Sequence, residues 1–157
     1  MSDLLVKLYD CLPQADLRRL ALEGISIRRA QASEKLAAMR WLRERFSEGW
    51  ASELAVSFAR APIACFLAVA DTRLVGFACH DATARGFFGP TGVEEDLRGR
   101  GIGSALLLTA LADMRARGHA YAIIGGAGPV DYYRRIVGAV VIPDSDPGAY
   151  RPAIIVP

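Results

Sequence analysis

A chain of 157 residues is long enough for one domain with a substantial core, and 52% hydrophobic with 23% charged residues is typical of a globular protein. The net charge of +2 and the scattered arginines exclude the basic surface that a nucleic-acid-binding protein needs. The longest apolar runs are about half a membrane span and the first residues carry no basic leader, so we expect a cytoplasmic protein without membrane contact.

Hydrophobic patterning predicts the elements in chain order, and the first is an N-terminal helical arm over residues 1–24. Two short apolar faces on either side of Pro13 indicate helices there. From Ile25, "ISIRRA" alternates apolar and polar residues and predicts a strand. Ser33 and the amphipathic run after it predict a capped helix that ends near Gly49.

The middle of the chain predicts a second helix and a run of strands. The helix covers about 50–60, and "IACFLAVA" and "RLVGFACH" then flank a tight turn at Asp71, which predicts a β-hairpin. "FFGPTGV" is apolar enough for a buried strand, but Gly89 and Pro90 remove side chains and one ladder donor. A strand interrupted in this way cannot pair fully with its neighbour.

The last third predicts a crossover and closing strands. "AYAIIGG" at 120–126 indicates a short buried strand that is parallel to "FFGPTGV", because a long helix connects them. A short helix then ends at Gly138, and "VVIP" at 140–143 and "PAIIVP" at 152–157 indicate two further strands. This order of elements predicts an α/β protein of mixed type, with one mixed sheet and helices on both of its faces.

Cysteine and histidine usage favours neither a disulfide nor a metal site. Cys11, Cys65 and Cys79 form no C-x-x-C pair, and the last two lie in strand-like runs where small buried residues belong. His80 and His119 have no clustered carboxylates beside them, so we expect no bound metal.

The most informative stretch is "TGVEEDLRGRGIGSALLLTALADMRARG", in which a Gly-rich loop leads into a strongly patterned helix. Gly99, Gly101 and Gly103 leave the loop free of side-chain bulk, so several amides can turn toward one anion. Free amides and the positive end of the helix dipole both favour a phosphate, and Arg98 and Arg100 add charge.

The loop does not match the common nucleotide-binding patterns. It contains no Lys, which excludes a Walker site, and Ser104 or Leu106 stands where a Rossmann fingerprint needs its last Gly. With Val93 before it, the stretch resembles the acetyl-CoA pyrophosphate loop of the Gcn5-related N-acetyltransferases (GNAT superfamily), roughly V-x-P-x-x-[RQ]-G-x-G-[IV]-G. Glu95 replaces the common Pro of that pattern.

The resemblance implies a fold and a cosubstrate. The fold is a central mixed, mostly antiparallel sheet with splayed strands and helices on both faces, and the order of elements here is similar over 25–142. The cosubstrate is acetyl-CoA (coenzyme A), without a metal. The residues that the resemblance assigns to its binding are Gly92, Val93, Arg98, Gly99, Arg100, Gly101, Ile102, Gly103 and Ser104.

The resemblance also implies a catalytic acid. "DYYRRIVG" resembles the family segment F-Y-x-[KR]-x-G, in which the second aromatic residue protonates the departing thiolate, and this residue is Tyr133. One extra residue precedes Gly138, so a helix bulge or a shift of register to Tyr132 stays open. No acidic residue has a spacing that singles it out as the base. Trp41, Trp50 and Phe46 lie in the region that lines the acceptor site in the family, and core packing is the alternative for each of them.

These observations predict an acetyl-CoA-dependent N-acetyltransferase, in which a primary amine of a small molecule or a protein attacks the thioester directly in a ternary complex. A homodimer is left open. The alternative is a non-catalytic acyl-CoA-binding sensor or interaction domain, because no base is identified. A phosphate binder that does not take CoA is a third reading.

Overall fold

The computed structural model describes residues 1–151 and 154–156, and it contains one mixed sheet with helices on both faces. The predicted fold class is confirmed. In chain order the elements are β1 (Leu4–Lys7), α1 (Leu17–Leu22), β2 (Ile25–Arg29), α2 (Lys35–Arg45), α3 (Glu48–Phe58), β3 (Cys65–Ala70), β4 (Arg73–His80), β5 (Phe87–Val93), α4 (Ile102–Ala116), β6 (Tyr121–Ile124), α5 (Val130–Val137) and β7 (Val140–Val141).

The strands lie in the order β2-β3-β4-β5-β6-β1-β7, and every neighbouring pair is antiparallel except β5 and β6. The parallel pair follows from the long crossover helix α4, as the sequence predicted. The hairpin between β3 and β4 also forms where it was predicted, with Asp71 at a positive φ of 56° in its turn.

Two hydrophobic clusters cover the two faces of the sheet. One contains the apolar stripe of α4, and Leu106, Leu111 and Met114 on that stripe are completely buried. The other contains α2 and α3 together with Phe77 of β4. The break between these two helices lies at Ser47 rather than near Gly49, because the Ser47 hydroxyl accepts a hydrogen bond from the Trp50 amide at 3.1 Å and caps α3.

The helical interpretation of the first residues is wrong. Residues 4–7 form β1, which lies inside the sheet between β6 and β7, and only Leu17–Leu22 of the predicted arm are helical. Leu4, Val6 and Leu8 are completely buried while Lys7 is exposed, so the apolar period here is two rather than 3.6.

The end of the chain differs from the prediction as well. Val140 and Val141 form β7 against β1. Of the strand predicted at 152–157, residues 154–156 are exposed and belong to no strand, while residues 152, 153 and 157 lie outside the described residues.

Cys65 and Cys79 are buried opposite each other on β3 and β4, as predicted for core residues, and neither forms a disulfide. Among the described residues, no group of His, Cys, Asp and Glu side chains is placed to hold a metal ion. None of the helices in this part of the chain is long and apolar enough to cross a membrane.

Candidate active site

The site begins where β5 and β6 separate. Their ladder contains only the pairs Phe87–Ile123 and Phe88–Ile124, after which the two strands diverge. The chain turns away at Gly89, whose φ of 116° is a conformation that favours glycine, and at Pro90, which has no amide to donate. The separation that the sequence predicted is therefore present, and it leaves a gap in the sheet.

The Gly-rich loop lies at the far end of β5. Gly99 and Gly101 have φ angles of 78° and 82°, and Gly101 is the N-cap of α4. The first intrahelical hydrogen bond at the N-terminus of α4 is donated by the Ala105 amide to the Gly101 carbonyl at 3.0 Å. The amides of residues 99–104 make no hydrogen bond to another described residue, so they are free to bind an anion.

Gly103 shows how much room this cradle has. A Cβ added there would meet nothing nearer than Val93 Cγ2 at 3.7 Å and the Tyr132 hydroxyl at 3.8 Å. The free amides and this open side together fit the pyrophosphate of a CoA molecule, with the helix dipole adding to the attraction.

The three arginines around the loop are held in place by protein groups, and Arg19 and Arg100 share the carboxylate of Glu23. Arg98 donates from Nε to the Val93 carbonyl at 3.2 Å and so ties the loop to the end of β5. Arg100 pairs with Glu23 at 3.1 Å, which compensates part of its charge. Arg19 of α1 donates to the Arg100 carbonyl at 3.1 Å, and its Nη2 atom lies 2.6 Å from where a Cβ of Gly101 would stand. Sequence reasoning missed Arg19, which no local pattern distinguishes from the neighbouring arginine.

A first cavity, which we call the loop cleft, lies between β5, the start of α4 and α5. Its volume is about 340 Å³ and its wall is mostly apolar. Gly92 is needed in the floor, because a Cβ there would lie 2.5 Å from Phe46 Cζ. The lining residues are Phe88, Thr91, Gly92, Val93, Arg98, Gly103, Leu107, Pro129, Tyr132 and Tyr133.

A second cavity, which we call the aromatic cavity, lies beyond the end of β6. Its volume is about 580 Å³. The side chains that define it are Trp50, Phe88, Pro90, Ile124, Tyr133, Pro147 and Tyr150, together with the glycine-rich backbone after β6. Phe88, Thr91, Pro129 and Tyr133 line both cavities, so the two spaces meet along these residues.

Tyr133 stands at this junction. Tyr133 is 8% exposed, and its hydroxyl makes no hydrogen bond to a described residue. The hydroxyl oxygen is nevertheless not completely buried. It therefore has access to the cavities. Burial, with the neighbouring Tyr132 as the second cause, raises the pKa of Tyr133 to about 12. The phenol consequently keeps its proton throughout the neutral range.

Tyr132 has another environment, although its ring centroid is 5.1 Å from that of Tyr133. Its hydroxyl lies 3.0 Å from the Ser104 hydroxyl at the start of α4, and it lines the loop cleft but not the aromatic cavity. Val130–Val137 is helical throughout and ends at Gly138 with a φ of 64°, so the extra residue before Gly138 makes no bulge.

Three titratable residues around the loop, the hairpin and α5 are held by other partners. Glu94 binds Arg45 at 2.8 Å and Arg73 at 3.1 Å, and Asp131 is exposed beside Arg134. His80 is fully buried, with its ring nitrogens 2.9 Å from Asp81 Oδ2 and 2.7 Å from Asp113 Oδ2. Neither cavity is lined by a carboxylate or an imidazole of a described residue.

Comparison with known proteins identifies the family. A family model described as "Acetyltransferase (GNAT) family" matches residues 34–138. The chain belongs to this family. The recognition made from the loop is thereby confirmed. A search of curated proteins finds no match.

Solved structures show the same fold. A GCN5-related N-acetyltransferase from Sphaerobacter thermophilus is 26% identical with a TM-score of 0.71, and the match covers 90% of this chain and 48% of that one. The glucosamine N-acetyltransferase region of a fungal multi-domain GH3 β-N-acetylglucosaminidase has a TM-score of 0.72 at 18% identity, covering 90% of this chain and 19% of that one. The present chain thus spans less than half the length of each.

A third solved structure contains acetyl-CoA. A GNAT family acetyltransferase from Brucella melitensis, solved in complex with acetyl-CoA, is 23% identical with a TM-score of 0.52, and the match covers 71% of this chain and 80% of that one. At this identity the likeness is one of fold.

Within this GNAT protein, the residues proposed from sequence come together at one place. Gly92, Val93, Arg98 and Gly103 line the loop cleft beside both tyrosines, and the remaining residues of the 98–104 stretch form the cradle next to it. Trp50 lines the aromatic cavity, whereas Phe46 packs against Gly92.

Proposed function

We propose that this chain is an acetyl-CoA-dependent N-acetyltransferase that moves the acetyl group to a primary amine of a small molecule or a protein. The observation that carries the proposal is the position of Tyr133, which lines both the loop cleft and the aromatic cavity. A cosubstrate in one cavity and an acceptor in the other would meet at its hydroxyl.

The cradle and the loop cleft are the proposed binding site of acetyl-CoA. The amides of residues 99–104 hold the pyrophosphate, and Arg98 keeps the loop in place through the Val93 carbonyl. Gly92 and Gly103 leave space for the chain that follows the pyrophosphate. Bound acetyl-CoA supplies an activated thioester.

The residues of this chain then orient the two substrates, exclude water and move a proton. The apolar walls on both sides of Tyr133 restrict water at the junction, and Tyr133 donates its proton to the departing thiolate. Direct attack by the amine is favoured over a covalent enzyme intermediate. Cys65 and Cys79 are buried, and Cys11 lines neither cavity.

The second candidate is an acyl-CoA-binding domain without turnover, and one observation favours it. No carboxylate or imidazole of a described residue lines either cavity, so a base does not contact the acceptor directly. Residues 1–157 are proposed to act as one unit in either case.

Release of free thiol from acetyl-CoA, measured across a panel of amines, tests the proposal. We expect turnover with at least one amine and its loss in Tyr133→Phe. CoA binding by calorimetry without turnover on any amine supports the non-catalytic candidate, and absence of CoA binding contradicts both. Mass spectrometry of ligand that co-purifies with the protein gives an independent identification.

A further inference from the structure

The wall of the aromatic cavity is almost without charge. Among the described residues that line it there is no Lys, Arg, His, Asp or Glu, and Trp50, Pro90 and Pro147 present rings to the space. A phosphate or a carboxylate on an acceptor would lose its hydration here without gaining a cationic side chain as a partner. A sugar would leave several hydroxyls unpaired for the same reason. The wall therefore favours an acceptor with an apolar body.

The charges close to this wall are one cation and three carboxylates. Met1, whose α-ammonium is paired with Asp146, lines the cavity, and Asp3 and Glu53 lie behind it. Asp3 is 7% exposed, and its Oδ1 atom accepts a hydrogen bond from the Gly126 amide at 2.8 Å. Glu53 lies behind Thr83, whose hydroxyl donates to Glu53 Oε1 at 2.6 Å. Burial raises the pKa of Tyr150, the Thr83 bond lowers it, and the charges of Glu53 and Asp3 raise it further. The field inside the cavity thus favours a single cation.

A chain of hydroxyls joins the cavity to one of these carboxylates. The Thr83 hydroxyl has one proton, and this proton is used in the bond to Glu53. The Tyr150 hydroxyl, 3.1 Å from Thr83 Oγ1, must therefore be the donor in their contact. The lone pairs of the Tyr150 oxygen are left to accept from a ligand.

The seat of Tyr150 is built by two glycines. A Cβ on Gly125 would lie 3.3 Å from Tyr150 Cε2, and one on Gly126 would lie 3.7 Å from the same atom. The ring of Tyr150 therefore packs on bare backbone directly after β6, on the side where β6 has separated from β5. This places its hydroxyl chain on the same cavity as Tyr133.

We infer that the acceptor is a monoamine with an apolar or aromatic body, and that Tyr150 binds its ammonium and passes its proton through Thr83 to Glu53. The step is balanced. The ammonium gives one proton to the Tyr150 oxygen, Tyr150 gives its own to Thr83, and Thr83 gives its own to the carboxylate. The amine is left neutral, with a lone pair for attack. This inference rests on the proposed function and supplies the base that the sequence did not identify.

The other titratable groups around this chain do not compete for the proton. Glu53 forms no ion pair with a described Lys, Arg or His. Asp3 contacts the Gly126 amide, the Met1 α-ammonium on the cavity wall is paired with Asp146, and Tyr133, which also lines the cavity, has a pKa of about 12. Across the range in which amine and carboxylate titrate, Tyr133 therefore stays protonated.

Binding to the CoA-loaded protein tests the acceptor class without turnover. We expect 2-phenylethylamine to quench Trp50 fluorescence and to bind at least about tenfold more tightly than spermidine, glucosamine or the uncharged 2-phenylethanol, one decade being about 1.4 kcal/mol. The quenching should disappear in Trp50→Phe. Tyr150→Phe should remove most of the preference for the amine over the alcohol. Tyr121→Phe is the matched control, since Tyr121 and Tyr150 are both 45% exposed.

The pH dependence of turnover tests the proton path. Glu53→Gln should lower kcat/KM for 2-phenylethylamine by about 10²-fold near pH 7, the range of a general base. The loss should shrink toward pH 10, because an alkylammonium titrates near there and the neutral amine needs no base. Glu48→Gln, on the same helix and 78% exposed, should have no effect. A merely structural role of Glu53 predicts an equal loss at every pH.

The outcomes separate this inference from the proposed function. Tight binding of 2-phenylethylamine without turnover on any amine keeps the acceptor class and overturns the acetyltransferase. Turnover on spermidine or glucosamine with no binding of 2-phenylethylamine overturns the acceptor class and keeps the acetyltransferase. A loss in Glu53→Gln that does not change with pH overturns the proton path.

Discussion

Replacing Tyr133 by Phe separates the chemistry of the phenol from its packing. Tyr133 is only 8% exposed, and Phe keeps the buried aromatic ring. The hydroxyl makes no hydrogen bond to a described residue, so its removal breaks none. We therefore expect a change in the free energy of unfolding within about 0.5 kcal/mol, the usual size when no named interaction is lost.

The effect on catalysis should be much larger. A positioned proton donor is worth about 10² to 10⁴ in rate, which corresponds to about 2.7 to 5.4 kcal/mol of activation free energy. We expect kcat in the thiol-release assay to fall by this factor while CoA affinity by calorimetry stays the same. Because the pKa of Tyr133 is about 12, wild-type activity should show no loss from phenol ionisation up to pH 10.

Tyr132→Phe is the matched control. It removes the contact with the Ser104 hydroxyl at 3.0 Å, at the start of α4, and a lost hydrogen bond costs about 1 kcal/mol. This change should weaken CoA binding and leave kcat nearly unchanged. If Tyr132→Phe abolishes turnover and Tyr133→Phe does not, the assignment of the acid is off by one residue. If neither matters in an active enzyme, the thiolate leaves without help from α5.

Three further changes test the cradle and the fold. Gly103→Ala should weaken CoA binding more than tenfold without lowering the melting temperature, because the added methyl stands 3.7 Å from its nearest neighbour but faces the cleft. Arg19→Ala should weaken CoA binding several-fold, and the loss should shrink with salt, since its charge lies at the Arg100 carbonyl. Asp113→Asn should remove stability that the wild type has above pH 4 and loses toward pH 2.

The size and sign of the Asp113 effect follow from its contacts. Burial raises its pKa, but hydrogen bonds from Arg29 and His80 and the charges of Arg29 and Arg117 outweigh burial and lower it to about 2. The folded state thus holds this proton more weakly than the unfolded state. The contribution, about 2 kcal/mol, is present above the unfolded pKa and lost as the pH falls through the folded pKa. Urea unfolding at several pH values measures it.

The changes at Gly103 and Asp113 each have a control on the same chain. Gly49→Ala adds a methyl at the second position of α3, as Gly103→Ala does in α4, and should leave CoA binding unchanged. Asp131→Asn removes a carboxylate that is 92% exposed, and it should not change how the free energy of unfolding falls at acidic pH. Unaltered CoA affinity in a folded Gly103→Ala protein contradicts the cradle.

The loop and α4 could be predicted because their signals are local. Gly99, Gly101 and Gly103 follow one another at alternate positions, and the apolar stripe of α4 recurs with the helical period over the next four turns. The gap between β5 and β6 was also predictable, since Gly89 and Pro90 weaken the strand in which they stand. Neither inference needed a contact from a distant part of the chain.

The groups that the sequence did not reveal are joined over long distances in the chain. Thr83 lies 30 residues from Glu53 and 67 from Tyr150, and Arg19 lies 81 residues from the carbonyl it contacts. Single hydroxyl and carboxylate residues at such separations form no pattern that spacing could detect. The sequence singled out no base, and Glu94, which lies on the approach to the loop, is held in ion pairs with Arg45 and Arg73.

The N-terminal segment failed for a different reason, and its true position explains how the gap stays open. Leu4, Leu5 and Leu8 fit one turn of a helix as well as Leu4, Val6 and Leu8 fit a strand, and only the pairing partner decides between them. In the structure β1 pairs with β6 along the whole of Tyr121–Ile124, whereas β5 pairs with only its last two residues. β6 therefore keeps one complete ladder, on its β1 side, at the place where β5 diverges from its other side. Because the same segment carries Asp3 to Gly126 and Arg19 to the cradle, the first residues of the chain support both ends of the proposed site.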